Sequence, residues 1–243
     1  IQAYRTAVRL AIAERWDTVS NRARSNLGSI FGKQGRFDEA IREFQIVLQS
    51  DPSDVAGHTN LGVIYVKQGR MTEALQEFQY ALRLAPDNAA AHYSLGNTYD
   101  ELGRPEDAMR EYRTAVRLKP EHGEAHNNMG LLYGMQGRFA EAIEEFQAAI
   151  KNLPDSGEAY NNLGIVYARQ NRLDEAVRAF QHALLHGPEN SEVHKNMGVA
   201  YRYQGRLEDA AREFEAALRI DPGHADARHH LDSTKKELSR AQN

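Results

Sequence analysis

Apolar residues recur along this chain at three- and four-residue steps, and each run breaks at a glycine or a proline. Between residues 123 and 156, Ala125, Met129, Leu132 and Tyr133 fall on one helical face. Gly137-Arg138 follows, and glycine tolerates the left-handed conformation of a helix C-cap. Phe139, Ala142, Ile143, Phe146, Ala149 and Ile150 then share the face of a second helix, which stops ahead of Pro154. Proline has no amide hydrogen and disfavours helix in the residue before it. Pro105 stands where a second helix starts, a position that tolerates it. The pattern predicts a pair of helices, each apolar on one side only.

The pair repeats every 34 residues. Gly28, Gly62, Gly96, Gly130, Gly164 and Gly198 keep that step; at glycine's usual frequency such a register arises by chance on the order of 10⁻⁷. Phe31, Tyr65, Tyr99, Tyr133, Tyr167 and Tyr201 form a second column, and the alanines from Ala40 to Ala210 a third. Phe44, Phe78, Tyr112, Phe146, Phe180 and Phe214 form a fourth, and the prolines from Pro52 to Pro222 a fifth. Six units follow, at 21–54, 55–88, 89–122, 123–156, 157–190 and 191–224. Gly130 and Ala142 are expected where two helix backbones approach closely, with Tyr133 and Phe146 joining one unit to the next. One unit cannot bury its own apolar faces, so stability must come from stacking.

These columns resemble the tetratricopeptide repeat across residues 21 to 224. The resemblance implies an all-α fold: a right-handed α-solenoid, or superhelix, of six tandem helix-turn-helix units with capping helices at both ends. The departure is the signature tryptophan, replaced by Arg24, His58, His92, His126, Tyr160 and His194. Residues 225–243 start like a seventh first helix, but Asp232 stands in the glycine column and the segment reads as a C-terminal cap. Residues 1–20 admit two readings. Tyr4 to Leu10 is identical to Tyr112 to Leu118, which suggests the second helix of an incomplete earlier pair. Alternatively, Val8, Ile12 and Trp16 form the stripe of a free amphipathic helix, expected to seek the groove of another copy and give a homo-oligomer through residues 1–20.

In the family the first helices line a concave groove that holds an extended peptide or helix, so the resemblance implies a protein-interaction scaffold. Two residues before each glycine stand Asn26, Asn60, Ser94, Asn128, Asn162 and Asn196. An amide donates and accepts at once, so such a column can pair with a peptide backbone. It resembles the asparagine ladder of the O-linked N-acetylglucosamine transferase repeats. The same amides can instead bond within the stack, and both readings stand. Asn97, Leu131, Ile165 and Val199 lie three residues beyond that column, with Tyr93, Met135 and Tyr203 on the same face and Lys195 beside Asn196. Together they are the candidate peptide-binding residues, an apolar strip beside amides that would suit hydrophobic anchors. Glu124, Glu158 and Glu192 near three helix starts either meet ligand cations or answer the helix dipole. No unit carries the lysine and asparagine pair with which chaperone-binding relatives clamp a carboxylate: Lys195 is followed by Val199, and Asn97 preceded by Tyr93.

Composition narrows the function classes further. The chain has 243 residues, 41% of them hydrophobic and 26% charged, with a formal charge of −4. That balance argues against a nucleic-acid partner, which needs a basic surface. No apolar stretch approaches a membrane span, so no direct membrane insertion is expected. Without cysteine there is no disulfide, thiolate metal site or cysteine nucleophile. The histidines at 58, 92, 126 and 194 lie on different units and read as structural, and His182 and His186 lack a catalytic glutamate between them. Every glycine column belongs to the repeat, so no phosphate-cradling loop is left, and no enzyme activity, metal or cofactor is expected. The chain begins at Ile1, which reads as a piece of a longer protein, cytoplasmic in preference to periplasmic. Two alternatives to the scaffold remain: the substrate-binding arm of a larger enzyme such as a glycosyltransferase, and a self-assembling structural protein.

Overall fold

The computed structural model describes residues 1–13 and 17–241, and side chains at 1–8 and 20–240. Among the described residues every element is a helix. They are α1 (Gln2–Ala13), α2 (Asp17–Lys33), α3 (Phe37–Ser50), α4 (Val55–Lys67), α5 (Met71–Leu84), α6 (Ala89–Glu101) and α7 (Pro105–Leu118). Then follow α8 (Gly123–Met135), α9 (Phe139–Asn152), α10 (Gly157–Arg169), α11 (Leu173–His186), α12 (Ser191–Tyr203), α13 (Leu207–Ile220) and α14 (Ala225–Ala241). The chain divides into two compact units, Ile1–Pro120 and Glu121–Asn243. No helix among the described residues is long and apolar enough to cross a membrane.

Each unit is a stack of helix pairs, the architecture of an all-α solenoid. In the first, α2 pairs with α3, α4 with α5 and α6 with α7, while α2, α4 and α6 touch in succession. In the second, α8 pairs with α9, α10 with α11 and α12 with α13, and α8, α10, α12 and α14 touch in succession. Pairing is antiparallel: Asn21, near the start of α2, donates to Ser50 at the end of α3, while Gly28, further along α2, faces Phe44. The first helices are capped by side chains, with Asp54, Asn88, Ser156 and Asn190 accepting from backbone amides of the first turn. Pro105 opens α7.

The turn between paired helices is built the same way each time. Gly35, Gly69, Gly103, Gly137 and Gly205 have φ of 67° to 75°, and Asn171 takes φ 60° in their place. Asparagine, like glycine, visits this region at low cost. The arginine after the turn lies over the preceding aromatic ring, Arg138 over Tyr133 at 4.5 Å and Arg206 over Tyr201 at 4.2 Å, a cation–π contact. Its guanidinium also pairs with the acid three residues on, and that hydrogen bond holds the Glu141 carboxyl below its ordinary range.

The glycine column serves a different purpose from the one its smallness suggested. A Cβ built on Gly130 would lie 2.7 Å from the Phe146 ring, and Gly62 and Gly96 meet Phe78 and Tyr112 at 2.6 Å. The space left by the glycine therefore holds an aromatic ring of the same pair, not a neighbouring backbone. Phe146 thus closes its own pair. Tyr112, the one tyrosine of this column, donates its hydroxyl to Asn97 Oδ1 at 2.7 Å.

The two ends also differ in part from expectation. α2 starts at Asp17, inside the stretch expected to precede the first pair at Asn21. α1 packs against α2 and buries Val8, so it is a docked helix rather than a free one. Trp16 and the Ile12 side chain, on which the free-helix reading relied, lie outside the described residues. α14 packs on α12 and α13, burying Ala227, Leu231 and Thr234.

The ring in the glycine gap generates the first prediction. Phe146 is 1% exposed and its neighbours leave it little room. Gly130→Ala should destabilise the protein by about 1–3 kcal/mol in chemical denaturation, although alanine is the better helix former. Combining it with Phe146→Leu should show a favourable coupling. Additive effects would mean that the ring does not depend on the glycine. Ala142, fully buried on α9, should resist Ala142→Leu by a similar about 1–3 kcal/mol.

Candidate functional site

Because the pairs repeat in register, equivalent residues of touching first helices form rows. In the unit from Glu121, the first row is Asn128, Asn162 and Asn196, all half-buried. The second is Leu131, Ile165 and Val199, and the third, at the helix ends, is Met135, Arg169 and Tyr203. Met135 is 81% and Tyr203 77% exposed, so the outer row is uncovered apolar and aromatic surface.

The amide row is wired to its neighbours. Asn162 donates through Nδ2 to Asn127 Oδ1 of the preceding pair at 3.1 Å, and Asn127 donates to Glu158 at 3.1 Å. Asn196 donates to Asn161 at 3.2 Å and accepts from Lys195 at 2.9 Å. Lys195 also pairs with Glu192, which accepts from His224 as well. Sequence reasoning singled out Asn162 and Asn196 but missed their acceptors Asn127 and Asn161. The signal was the doublets Asn127-Asn128 and Asn161-Asn162. Each donor amide has two N–H groups, so the bond from Asn162 to Asn127 leaves a donor and the carbonyl for other use. Glu158 and Glu192 are engaged by neighbouring pairs, which gives those acids a structural role.

Between α8 and α10 the rows enclose a pocket of about 200 Å³. Leu131, Met135, Ile165 and Val166 wall it with Asn162 and Arg169, and Gly130, Gly134 and Phe146 complete the lining. A Cβ on Gly134 would meet only Val166, at 3.7 Å, so this glycine opens the space rather than admitting a ring. A second pocket of about 200 Å³ between α12 and α14 is lined by Val199, Arg202, Tyr203 and His230. His230 stands in the asparagine column of α14 and stacks on Phe214 at 5.3 Å. Its buried Nδ1 has no hydrogen-bond partner among the described residues. Burial, with the positive charges of Arg202, His229 and Lys195, pushes this imidazole below its ordinary pKa, and Asp226 opposes them.

The unit ending at Pro120 is more polar on this face. Asn26 lines a hollow with Asn21, Arg22, Ser25 and Asp54, and Asn60 is half-buried on α4. Tyr93 lies 5.9 Å from the Tyr112 ring. Asn97, expected to face a ligand, has its carbonyl occupied by Tyr112. The histidines of the tryptophan column bridge the helices of their own pair. His58 Nδ1 lies 2.6 Å from Glu77 and its Nε2 3.1 Å from the Pro52 carbonyl, and His92 repeats this with Glu111 and Pro86. His126 and His194 reach Glu145 and Glu213 at 2.6 and 2.7 Å. Tyr160, the exception, stacks with His182 at 5.1 Å and lies 6.0 Å from His186.

Two predictions follow from this wiring. Asn162→Ala removes the donor that meets buried Asn127 and should lower stability by about 0.5–1.5 kcal/mol. Asn60→Ala, with no such bond among the described residues, should stay within about 0.5 kcal/mol. Equal losses in denaturant titrations would show that the amide chain does not tie the pairs together. His230 gives a pH dependence. Its folded pKa is depressed, so the unfolded chain takes up the proton first. The stability that neutral His230 contributes is complete above the unfolded value of about 6.5. It is lost as the pH falls from there through the folded value. His230→Asn should flatten that part of the stability–pH curve, and an unaltered slope would refute the assignment.

The model of the tetratricopeptide repeat matches residues 25–89, 93–157, 127–192 and 161–225. No curated protein matches the chain. Among solved structures, YrrB, described as a TPR protein with an unusual peptide-binding site, is 25% identical with a TM-score of 0.65 over 76% of this chain and 96% of its own. MamA is 27% identical, TM-score 0.63, over 68% of this chain and 96% of its own. PilF of Pseudomonas aeruginosa, 19% identical, shares the fold with a TM-score of 0.81 over 89% of this chain and 99% of its own. With the family pattern matched over most of its length, and helix pairs stacked as that pattern requires, this chain belongs to the tetratricopeptide repeat family.

Proposed function

We propose that this chain is a protein-interaction scaffold that binds an extended segment of a partner protein along the face of its first helices. Tetratricopeptide repeats are in general protein-interaction scaffolds, and YrrB carries a peptide-binding site by its description. The observation that carries the reading is the pocket between α8 and α10, an apolar hollow beside an amide row. Amides pair with a peptide backbone and an apolar hollow takes a side chain, which together are the elements of peptide recognition. In the unit ending at Pro120, Asn26, Asn60, Tyr93 and Asn97 are that unit's own proposed contacts, with the engaged Asn97 carbonyl the weakest member. Asn128, Asn162 and Asn196 would hold backbone, and Leu131, Met135, Ile165, Val199 and Tyr203 would hold side chains, with Lys195 beside them.

Gly134 offers a direct test. Gly134→Leu puts a side chain into the pocket from its own wall, with its Cβ at ordinary contact distance from Val166. A bead-displayed random nonapeptide library provides the probe. The unsubstituted protein should retain a reproducible subset, and Gly134→Leu should retain little of it while melting at or above the original temperature. Retention of the same subset by both proteins would overturn the reading.

A further inference from the structure

We propose that the pocket between α8 and α10 selects a large apolar side chain with an Asp or Glu one or two residues away, and that Arg169 reads the acid. This deepens the peptide-binding reading above and rests on it. The pocket has room for one large apolar side chain, and its walls at Leu131, Met135, Ile165 and Val166 offer that side chain only carbon and sulfur. Arg169 sits on the same lining at the last residue of α10. Its neighbours in the outer row are Met135 and Tyr203, neither of which carries a negative charge.

Several guanidiniums near the turns are committed to acids, and what sets Arg169 apart from others without an ion pair among the described residues, such as Arg117 and Arg219, is its place on the pocket wall. Arg138 pairs with Glu141, Arg172 with Glu175, Arg206 with Asp209 and Arg202 with Glu237. Among the described residues Arg169 has no ion-pair or hydrogen-bond partner. The C-terminal end of a helix favours any cation, which accounts for a basic residue at 169 but not for its place on the wall of an apolar hollow. A guanidinium there has its carboxylate-binding fork available. In an extended chain, residues two apart lie about 7 Å from each other on the same side. An acid at that spacing from the anchor therefore falls within reach of the Arg169 side chain. Asn162, on the same lining, retains groups for the peptide unit between them.

The chemistry thus points to an acidic partner segment with an embedded apolar residue, and disfavours a basic one. A cation placed beside Arg169 would meet like charge next to a surface of low polarity, which is the repulsive half of specificity.

The nonapeptide library distinguishes this proposal from the broader one. The pool retained by the unsubstituted protein should be enriched in Leu, Met, Ile or Phe with Asp or Glu one or two positions away. Arg169→Glu should keep the apolar preference, lose the acidic one and favour Lys or Arg instead. A peptide from the first pool should bind Arg169→Glu about five- to ten-fold more weakly by fluorescence anisotropy, with an unchanged helical spectrum showing that the fold persists. An apolar preference without an acidic one, or an acidic one untouched by Arg169→Glu, would overturn this inference and leave the pocket reading standing. A pool that Gly134→Leu retains equally well would overturn both.

Discussion

The contact on which this structure depends is the aromatic ring seated against a glycine within each helix pair. Phe44, Phe78, Tyr112, Phe146, Phe180 and Phe214 are at most 1% exposed, and each occupies the volume that a side chain at Gly28 to Gly198 would fill. Protein interiors leave little empty space, so ring and glycine fix the separation of the two helices together. They also fix the rotation of the first helix, since the glycine must face the ring. Residues two before, one after and five after the glycine then lie on the opposite flank, where the amide, aliphatic and outer rows are found. On α14 Asp232 stands in the glycine column, and His230 of that helix stacks on Phe214, which keeps its own seat against Gly198.

A second consequence of the register is that bonds between pairs can be written once and repeated. The donation from Asn162 to Asn127 recurs as that from Asn196 to Asn161, each 35 residues back. Links at the turn end behave alike, with Gln68 donating to Asp38 and Gln204 to Asp174, each 30 residues back. Such links are individually modest, but they hold the rows of one unit in line. The amide row therefore serves the stack and remains suited to a ligand, because one bond does not exhaust an amide.

Much of this was legible in the sequence, for a physical reason. A 34-residue period makes each column report on one environment, so six weak signals become one strong one. The helix bounds from Val55 onward, the left-handed turns and the docked α14 follow from glycine, proline and apolar spacing. What the columns could not show was which partner fills a gap. Gly130 looked like a site of backbone approach because its smallness is visible and the Phe146 ring facing it is not. Asn97 looked like a ligand contact, although its explanation was present: the one pair with Tyr112 in place of phenylalanine is the one with asparagine at that position. The pocket at Gly134 and the guanidinium of Arg169 were hidden because their columns change residue type from unit to unit. The start of α2 at Asp17 was hidden because the first pair has no complete predecessor to set its register.

The residues that obey the period and those that break it divide along the line between fold and recognition. In the column where the family carries tryptophan, His58, His92 and His194 each bridge an acid on the partner helix and a proline carbonyl. Arg24 reaches Glu43, and Arg228 reaches the Pro222 carbonyl, so the end members keep half of the bridge each. A donor that ties helix to loop substitutes for the apolar bulk of an indole, and the repetition shows that it serves the stack. Gly134, Arg169, Tyr203 and His230 do the reverse. Gly134, Arg169 and Tyr203 stand in columns that vary from unit to unit, His230 departs from an asparagine column, and each lines one of the two pockets on the first-helix face. A repeat protein gains a specific ligand only where its repeats differ, because identical repeats present identical surfaces. The apolar hollow beside the Arg169 guanidinium combines two such variable positions on adjacent first helices, a glycine that leaves space and an arginine that brings a charge.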